Sequence, residues 1–158
     1  MNKVKNLNYT DIDIIHTFFQ KENEEFTWFK QIGWNKENIE NHFLKNNNFS
    51  IGYFKDEKIC GILIGEKIRN IINFDLEIHI MLVSKKNRRN NIGSSILDFI
   101  EKNNKISNIS KIYLEVSENN LKALSFYKKN NFVFYKLRHN YYKDDNAIFN
   151  AKCYMKEI

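Results

Sequence analysis

Apolar positions recur along the chain with two different periods, and each change of period marks a new element. Between Asp11 and Lys21, Ile12, Ile14, Ile15, Phe18 and Phe19 keep the spacing of one helical face, behind a capping Thr10 or Asp11. Asn35 opens a second capped helix that runs through Ile39 and Phe43. From Phe49 the pattern shortens to that of strands: residues 49–54 and 59–68 flank the turn pair Asp56-Glu57, and residues 74–83 form a long third strand. Residues 84–91 are basic and polar, after which Ile92, Ile96, Phe99 and Ile100 restore the helical spacing over 92–102. Residues 112–116 read as a strand and 119–129 as a helix carrying Leu121, Leu124 and Tyr127. Residues 132–137 and 147–155 close the chain as strands. The order is two helices, an antiparallel meander, then strand–helix–strand–helix–strand–strand. That is an α+β fold, a mixed α/β sandwich with helices on the faces of one sheet.

Composition narrows the classes. A chain of 158 residues, 42% hydrophobic and 15% aromatic, suits a single domain over 1–158 with a real core and excludes a disordered tail. No apolar run approaches the roughly 18–20 residues of a membrane span. Residues 1–10 are polar and read as no signal segment, so a cytoplasmic protein without a membrane partner is expected. Cys60 and Cys153 lie in apolar strand-like runs and read as buried thiols; no metal site is expected. Lys+Arg 25 against Asp+Glu 19 gives +6, which favours anionic partners: nucleic acid, a ribosome surface or a phosphorylated cofactor. A general enrichment in Lys and Asn accounts for the same charge equally well.

The most informative junction is Val83-Ser-Lys-Lys-Asn-Arg88-Arg89-Asn90-Asn91-Ile92-Gly93-Ser94, where a strand ends, a basic loop turns and a helix begins. Backbone N–H groups at a helix start, with the helix dipole, make an anion site. Gly93 lets a phosphate approach the backbone, Asn91 tolerates a left-handed conformation, and Lys85, Lys86, Arg88 and Arg89 add charge. A solvated turn is the plainer reading of the same residues. A phosphate loop of the nucleotide-hydrolase type is excluded by the missing Gly-Lys-Ser/Thr ending.

Arg88-Arg-Asn-Asn-Ile-Gly93 resembles the [Q/R]-x-x-G-x-[G/A] segment of the Gcn5-related N-acetyltransferase (GNAT) family, with Asn91 at the first glycine and Lys85 at the family's proline. Leu114-Glu115-Val116-Ser-Glu-Asn-Asn120, then Ala123-Leu-Ser-Phe126-Tyr127-Lys-Lys-Asn-Asn131-Phe132, is similar to L-E-V-x-x-x-N…A-x-x-[FL]-Y-x-x-x-G-F, with Asn131 at the glycine. Arg138-His-Asn140-Tyr141-Tyr142 and Asp145-Asn-Ala147-Ile are similar to R-x-N-Y-Y and D-A-I of the ribosomal-protein-alanine (S18) N-terminal acetyltransferases. The resemblance covers about residues 50–155.

It implies a GNAT-like sheet of about six to seven strands, splayed in the middle, with acetyl-CoA as cosubstrate. Transfer of an acetyl group to an amine needs a neutral amine, a stabilised oxyanion and a protonated leaving thiolate. An α-amine titrates near 8, so freeing it costs only about 1 kcal/mol at neutral pH and one carboxylate suffices. By resemblance Glu115 is that base and Tyr127 the acid; the plainer readings are a surface ion pair and a core aromatic. Glu77 is the alternative base, because alternation sets Glu77, His79, Met81 and Val83 on one face of the third strand. The resemblance further implies that the backbone of Met81, Leu82 and Val83 pairs with the pantetheine arm. It gives the loop Arg88, Arg89, Asn90, Asn91, Ile92, Gly93 and Ser94 to the pyrophosphate, with Asn120 as a further cofactor contact or a plain helix cap. His79, Trp34, Tyr141 and Tyr142 are candidates to line the acceptor channel, against ordinary packing. The expected acceptor is a protein N-terminus, a ribosomal protein's by resemblance, taken by a monomer or weak dimer that requires no nucleic acid. Two other readings stay open: an acetyltransferase for a small amine, which calls for a strongly acidic pocket, and a non-catalytic RNA- or ribosome-binding module.

Overall fold

A computed structural model describes residues 2–22, 35–143 and 147–158. The elements follow in the order β1 (Asn2–Asn6), α1 (Ile12–Lys21), α2 (Lys36–Phe43), β2 (Asn48–Lys55), β3 (Lys58–Arg69), β4 (Phe74–Val83), α3 (Ile92–Lys102), α4 (Asn104–Ser107), β5 (Ile109–Ser117), α5 (Leu121–Lys129), β6 (Val133–Lys143) and β7 (Ile148–Glu157). The strands form one seven-stranded mixed sheet in the order β1-β2-β3-β4-β5-β7-β6. Asp56 and Glu57 both adopt positive φ, 48° and 63°, the conformation a two-residue hairpin turn needs between β2 and β3. β4 and β5 run parallel, joined by the α3 crossover; the neighbouring pairs are antiparallel.

Helices cover both faces, and each face has its own core. Ile62, Ile64, Ile80 and Leu82 pack with Ile15 and Phe18 of α1 and Ile39 and Phe43 of α2. On the other face Leu63, Leu76, Ile78, Ile112, Leu114 and Val116 pack with Ile92, Ile96 and Ile100 of α3 and Leu124 and Tyr127 of α5. Both cysteines are buried free thiols, as expected.

Three features differ from the sequence reading. Residues 2–6 form an edge strand on β2, although only Val4 in that run packs on a core. The cap before α1 is Asn8, whose side chain accepts from the Thr10 N–H at 2.9 Å while Asp11 closes a capping box on the Asn8 N–H. Asp11 is also ion-paired to Lys5 of β1 at 2.8 Å, which ties the helix start to the sheet edge.

The third difference positions the site. The β3–β4 register runs Gly65↔Ile78 and then Ile64↔Ile80, so His79 is an extra residue opposed by nothing on β3. Side-chain alternation is reset there. Leu76 and Ile78 point to the α3/α5 core, whereas Ile80 and Leu82 point to the α1/α2 core. Glu77 consequently lies on the opposite face from Met81 and Val83, which pack against the α3/α5 core. The single face expected for Glu77, His79, Met81 and Val83 does not exist.

Gly65 makes the bulge possible: a Cβ there would stand 2.4 Å from the Glu77 carbonyl oxygen. Gly65→Ala is therefore expected to lower stability by about 1–3 kcal/mol, the usual cost of forcing atoms into a filled space. Urea unfolding measures it, and an unchanged midpoint would contradict the close approach.

Candidate active site

β4 and β5 pair from Phe74↔Ile109 to Ile78↔Leu114, and their register ends there. The remaining halves, residues 79–83 and 115–117, diverge and leave a gap in the middle of the sheet. The Ser84 N–H donates to the Cys60 carbonyl on β3 at 2.9 Å. Alternation therefore turns the Leu82 backbone toward β3 and directs the N–H and C=O groups of Met81 and Val83 into the gap. Of the three residues expected to meet the cofactor arm, Leu82 is the one whose backbone faces away. The Val83 carbonyl accepts from Arg88 Nε at 3.1 Å, so Arg88 folds back over the end of β4.

The basic loop has a built shape. Ser84 is buried and its hydroxyl accepts from Asn87 Nδ2 at 2.7 Å, while Asn90 Nδ2 donates to the Asn87 carbonyl at 3.3 Å. The Lys85 N–H donates to Glu22 at the end of α1, 2.9 Å away. Lys85, Lys86, Arg89 and Asn90 are exposed. Arg89 and Asn91 both take left-handed conformations, φ 64° and 57°, and Asn91 makes no side-chain cap bond to α3. The α3 N–H groups thus open toward the loop, the arrangement that suits a pyrophosphate. Ile92 and Gly93 are buried and Ser94 is half-buried behind them.

Glu115 sits one residue past the last β4–β5 pair, on the face away from α3 and α5. Its Oε1 accepts from Arg138 Nη1 in an ion pair, and Cys153 Sγ lies 3.8 Å from the same oxygen. The Arg138 guanidinium stacks over the Tyr141 ring at 4.1 Å, and Tyr141 packs edge-on against Tyr142 at 4.9 Å. Burial and a hydrogen bond with Glu115 push the Tyr141 phenol up; burial, then the Glu115 charge, push Tyr142 up further. Tyr141 and Tyr142 thus gather around Glu115. Glu77 lies on the same face, beside Tyr113 of β5, and makes no ion pair among the described residues.

Tyr127 lies on the other face, buried in the α3/α5 core between Phe126 and Phe132, with ring centroids 5.2 and 5.4 Å away. Burial pushes its phenol well up, so it stays protonated at neutral pH. Asn120 is the helix cap of α5: its Oδ1 accepts from the Ala123 N–H at 3.1 Å. Trp34 lies outside the described residues.

Sequence reasoning missed two groups. Arg138 was seen as part of a motif, but its contact with Glu115 depends on the bulged course of β6. His79 belongs to a cluster around Glu66 of β3, whose Oε1 lies 3.7 Å from His79 Nε2, 3.5 Å from His42 Nδ1 and 2.6 Å from Lys45 Nζ. Burial drives the His42 pKa down against the pull of Glu66. These residues come from α2, the loop after it, β3 and β4, so no local spacing connects them. Among the described residues no set of His, Cys, Asp or Glu is arranged to hold a metal, and no helix is long and apolar enough to cross a membrane.

Comparison with known proteins follows the same geometry. The family model described as "Acetyltransferase (GNAT) family" matches residues 15–132. No curated protein matches the chain in sequence. Among solved structures, the ribosomal-protein-S18-alanine N-acetyltransferase of Escherichia coli superposes with a TM-score of 0.82 at 17% identity, over 100% of this chain and 94% of that one. A probable acetyltransferase from Staphylococcus epidermidis gives 0.82 at 16% identity, over 99% of each chain. Arabidopsis thaliana NAA60 in complex with acetyl-CoA gives 0.78 at 15% identity, over 100% of this chain and 99% of that one.

Gly93 has a second reason to be glycine. A Cβ there would meet the Phe126 ring at 2.9 Å and Met81 Cε at 3.5 Å, so its bareness lets α3 close on α5. Gly93→Val is expected to lower the melting temperature, and Phe126→Leu in the same chain to restore part of the loss. Thermal unfolding of the single and double variants checks this; strictly additive losses would show that Phe126 is not the obstacle.

Proposed function

The chain belongs to the acetyltransferase (GNAT) family, and from that premise we propose that it acetylates the α-amine of a protein N-terminus, an alanine such as that of ribosomal protein S18, within one N-acetyltransferase domain over 1–158. The observation that carries this reading is the gap between β4 and β5, with an anion-shaped loop at the end of β4 and Glu115 just beyond the last strand pair. Acetyl-CoA, when bound, supplies the acyl thioester. The α3 N-terminus with Arg88, Arg89 and Asn91 suits its pyrophosphate, and the Met81 and Val83 backbone suits its arm.

The two candidate proton carriers lie on opposite faces of the sheet, and the gap joins the faces. Glu115 takes a proton from the acceptor ammonium, directly or through a water. An N–H of Met81 or Val83, directed into the gap, stabilises the developing oxyanion. Tyr127 gives its phenolic proton to the departing thiolate, and the second proton that the nitrogen sheds as the amide forms restores the phenol. Tyr141 and Tyr142 flank the acceptor beside Glu115, and Glu77 is the alternative base.

A small-amine substrate would need a strongly acidic pocket. On this face Glu66 is neutralised by Lys45 and Glu115 by Arg138, which favours a peptide N-terminus over a polycation. A turnover assay with acetyl-CoA across N-terminal peptides and small amines tests the assignment. Peptides with a small first residue are expected to react faster than lysine ε-amines, whose pKa is about two units higher. Faster turnover on internal lysines or on polyamines would overturn it.

The proton roles are separable. Glu115→Gln is expected to cut the rate by about 10²–10⁴-fold at neutral pH, with partial recovery as pH rises and the amine is freed by water. Tyr127→Phe is expected to slow turnover without such recovery. If Glu77→Gln shows the pH-rescued loss and Glu115→Gln does not, the base belongs to β4.

A further inference from the structure

Glu115 presents a physical difficulty for the reading above. A carboxylate that must accept a proton is already paired with a guanidinium, and a neutral carboxyl beside Arg138 would forfeit that pair. The pair is not an accident of a loose surface. β6 bulges between Arg138 and Tyr142, where the register passes from Ala151 to Phe149. Asn140 takes a left-handed φ of 54° at that bulge, and its N–H donates to Asn150 Oδ1 at 3.1 Å. Asn150 is fixed in turn by Glu118 at the exit of β5, through bonds of 3.0 and 3.2 Å. This chain of bonds aims both Arg138 and Tyr141 at Glu115.

The pair is also asymmetric. The Arg138 side chain is 45% exposed and that of Glu115 21%, and the guanidinium has a second seat on the Tyr141 ring, 4.1 Å away. Exposed ion pairs are weak enough to be displaced by a competing cation. The substrate brings such a cation, because an α-amine arrives largely as ammonium at neutral pH.

We propose that Arg138 is a place-holder for the acceptor ammonium: it holds Glu115 while the channel is empty and yields the carboxylate to the incoming α-ammonium, withdrawing along the Tyr141 ring. This rests on Glu115 being the base. The ammonium N–H bond breaks as an O–H bond forms on Glu115, and the nitrogen lone pair becomes free to attack. After transfer the proton passes from Glu115 to bulk water, and the guanidinium returns to the carboxylate. Arg138 stays protonated throughout. The base is engaged only by a ligand that carries its own positive charge to that depth.

Around Glu115 stand Glu77 on β4, Cys153 on β7 and Tyr135, Arg138, Tyr141 and Tyr142 on β6. Arg138 is the cation that contacts it.

The test compares steady-state kinetics of the full chain, its Arg138→Gln and Arg138→Lys variants, and Glu115→Gln, with an alanine-initial peptide and acetyl-CoA. For Arg138→Gln the acceptor KM is expected to fall several-fold, because the ammonium no longer has a cation to displace, while the acetyl-CoA KM holds. Arg138→Lys keeps the charge and is expected to fall between the two, which preserves the test if the glutamine variant folds poorly. An unchanged or raised acceptor KM in both Arg138 variants, while Glu115→Gln is inactive, overturns the place-holder role alone. Wild-type turnover by Glu115→Gln overturns the base assignment and the place-holder with it.

Discussion

The loss of pairing between β4 and β5 is the constraint to which the rest of the structure answers. Two adjacent strands inside a sheet normally satisfy each other's backbone, and opening them leaves polar groups that need other partners. Here the pairing ends at Ile78↔Leu114, one residue before the His79 bulge. The bulge resets the alternation of β4, so its first half buries Leu76 and Ile78 in the α3/α5 core and its second half buries Ile80 and Leu82 in the α1/α2 core. Neither core is sacrificed to the opening. Beyond the last pair, the alternation of β5 turns Glu115 to the face opposite the core that holds Tyr127.

Asparagine does much of the conformational work that glycine usually does. The chain has only 5 glycines, and Asn91, Asn108, Asn131 and Asn140 all adopt positive φ. Asn is among the residues that reach this region at low cost. Asn91 and Asn131 stand where the family pattern has glycine, and at both positions the backbone conformation is left-handed, φ 57° and 66°. The departures from the motif are conservative in the property that matters there. Gly61, Gly65 and Gly93 are different: a Cβ at each would meet a neighbour closer than 3.0 Å, so space rather than φ demands them.

Much of this was legible from local pattern. α3 and β4 end where periodicity predicted, the Asp56-Glu57 turn is a hairpin turn, and Asn35 caps α2 through the Asn38 N–H at 2.8 Å. Patterns of period 2 or 3.6 carry such information directly. They fail where one residue breaks the period. His79 is that residue on β4, and the strict alternation assumed through it misassigned the face of Met81 and Val83. The β1 strand was illegible for another reason: an edge strand with one buried side chain has almost no apolar signal. The Arg138–Glu115 pair depends on β6 crossing beside β7, a tertiary fact that spacing does not contain.

The two sides of the gap differ in the charges next to it. The exposed cations Lys85, Lys86 and Arg89 gather at the loop that opens α3, beside backbone N–H groups of the same sign. On the other side of the gap Glu66 is paired with Lys45 and Glu115 with Arg138. A net charge of +6 therefore does not describe either side. The loop side offers an uncompensated positive field, which attracts a phosphorylated ligand from a distance. The carboxylate side also carries Glu77, which makes no ion pair among the described residues. The two sides of the opened strand pair are thus unlike: exposed cations and backbone N–H groups on one, carboxylates held partly by cations on the other.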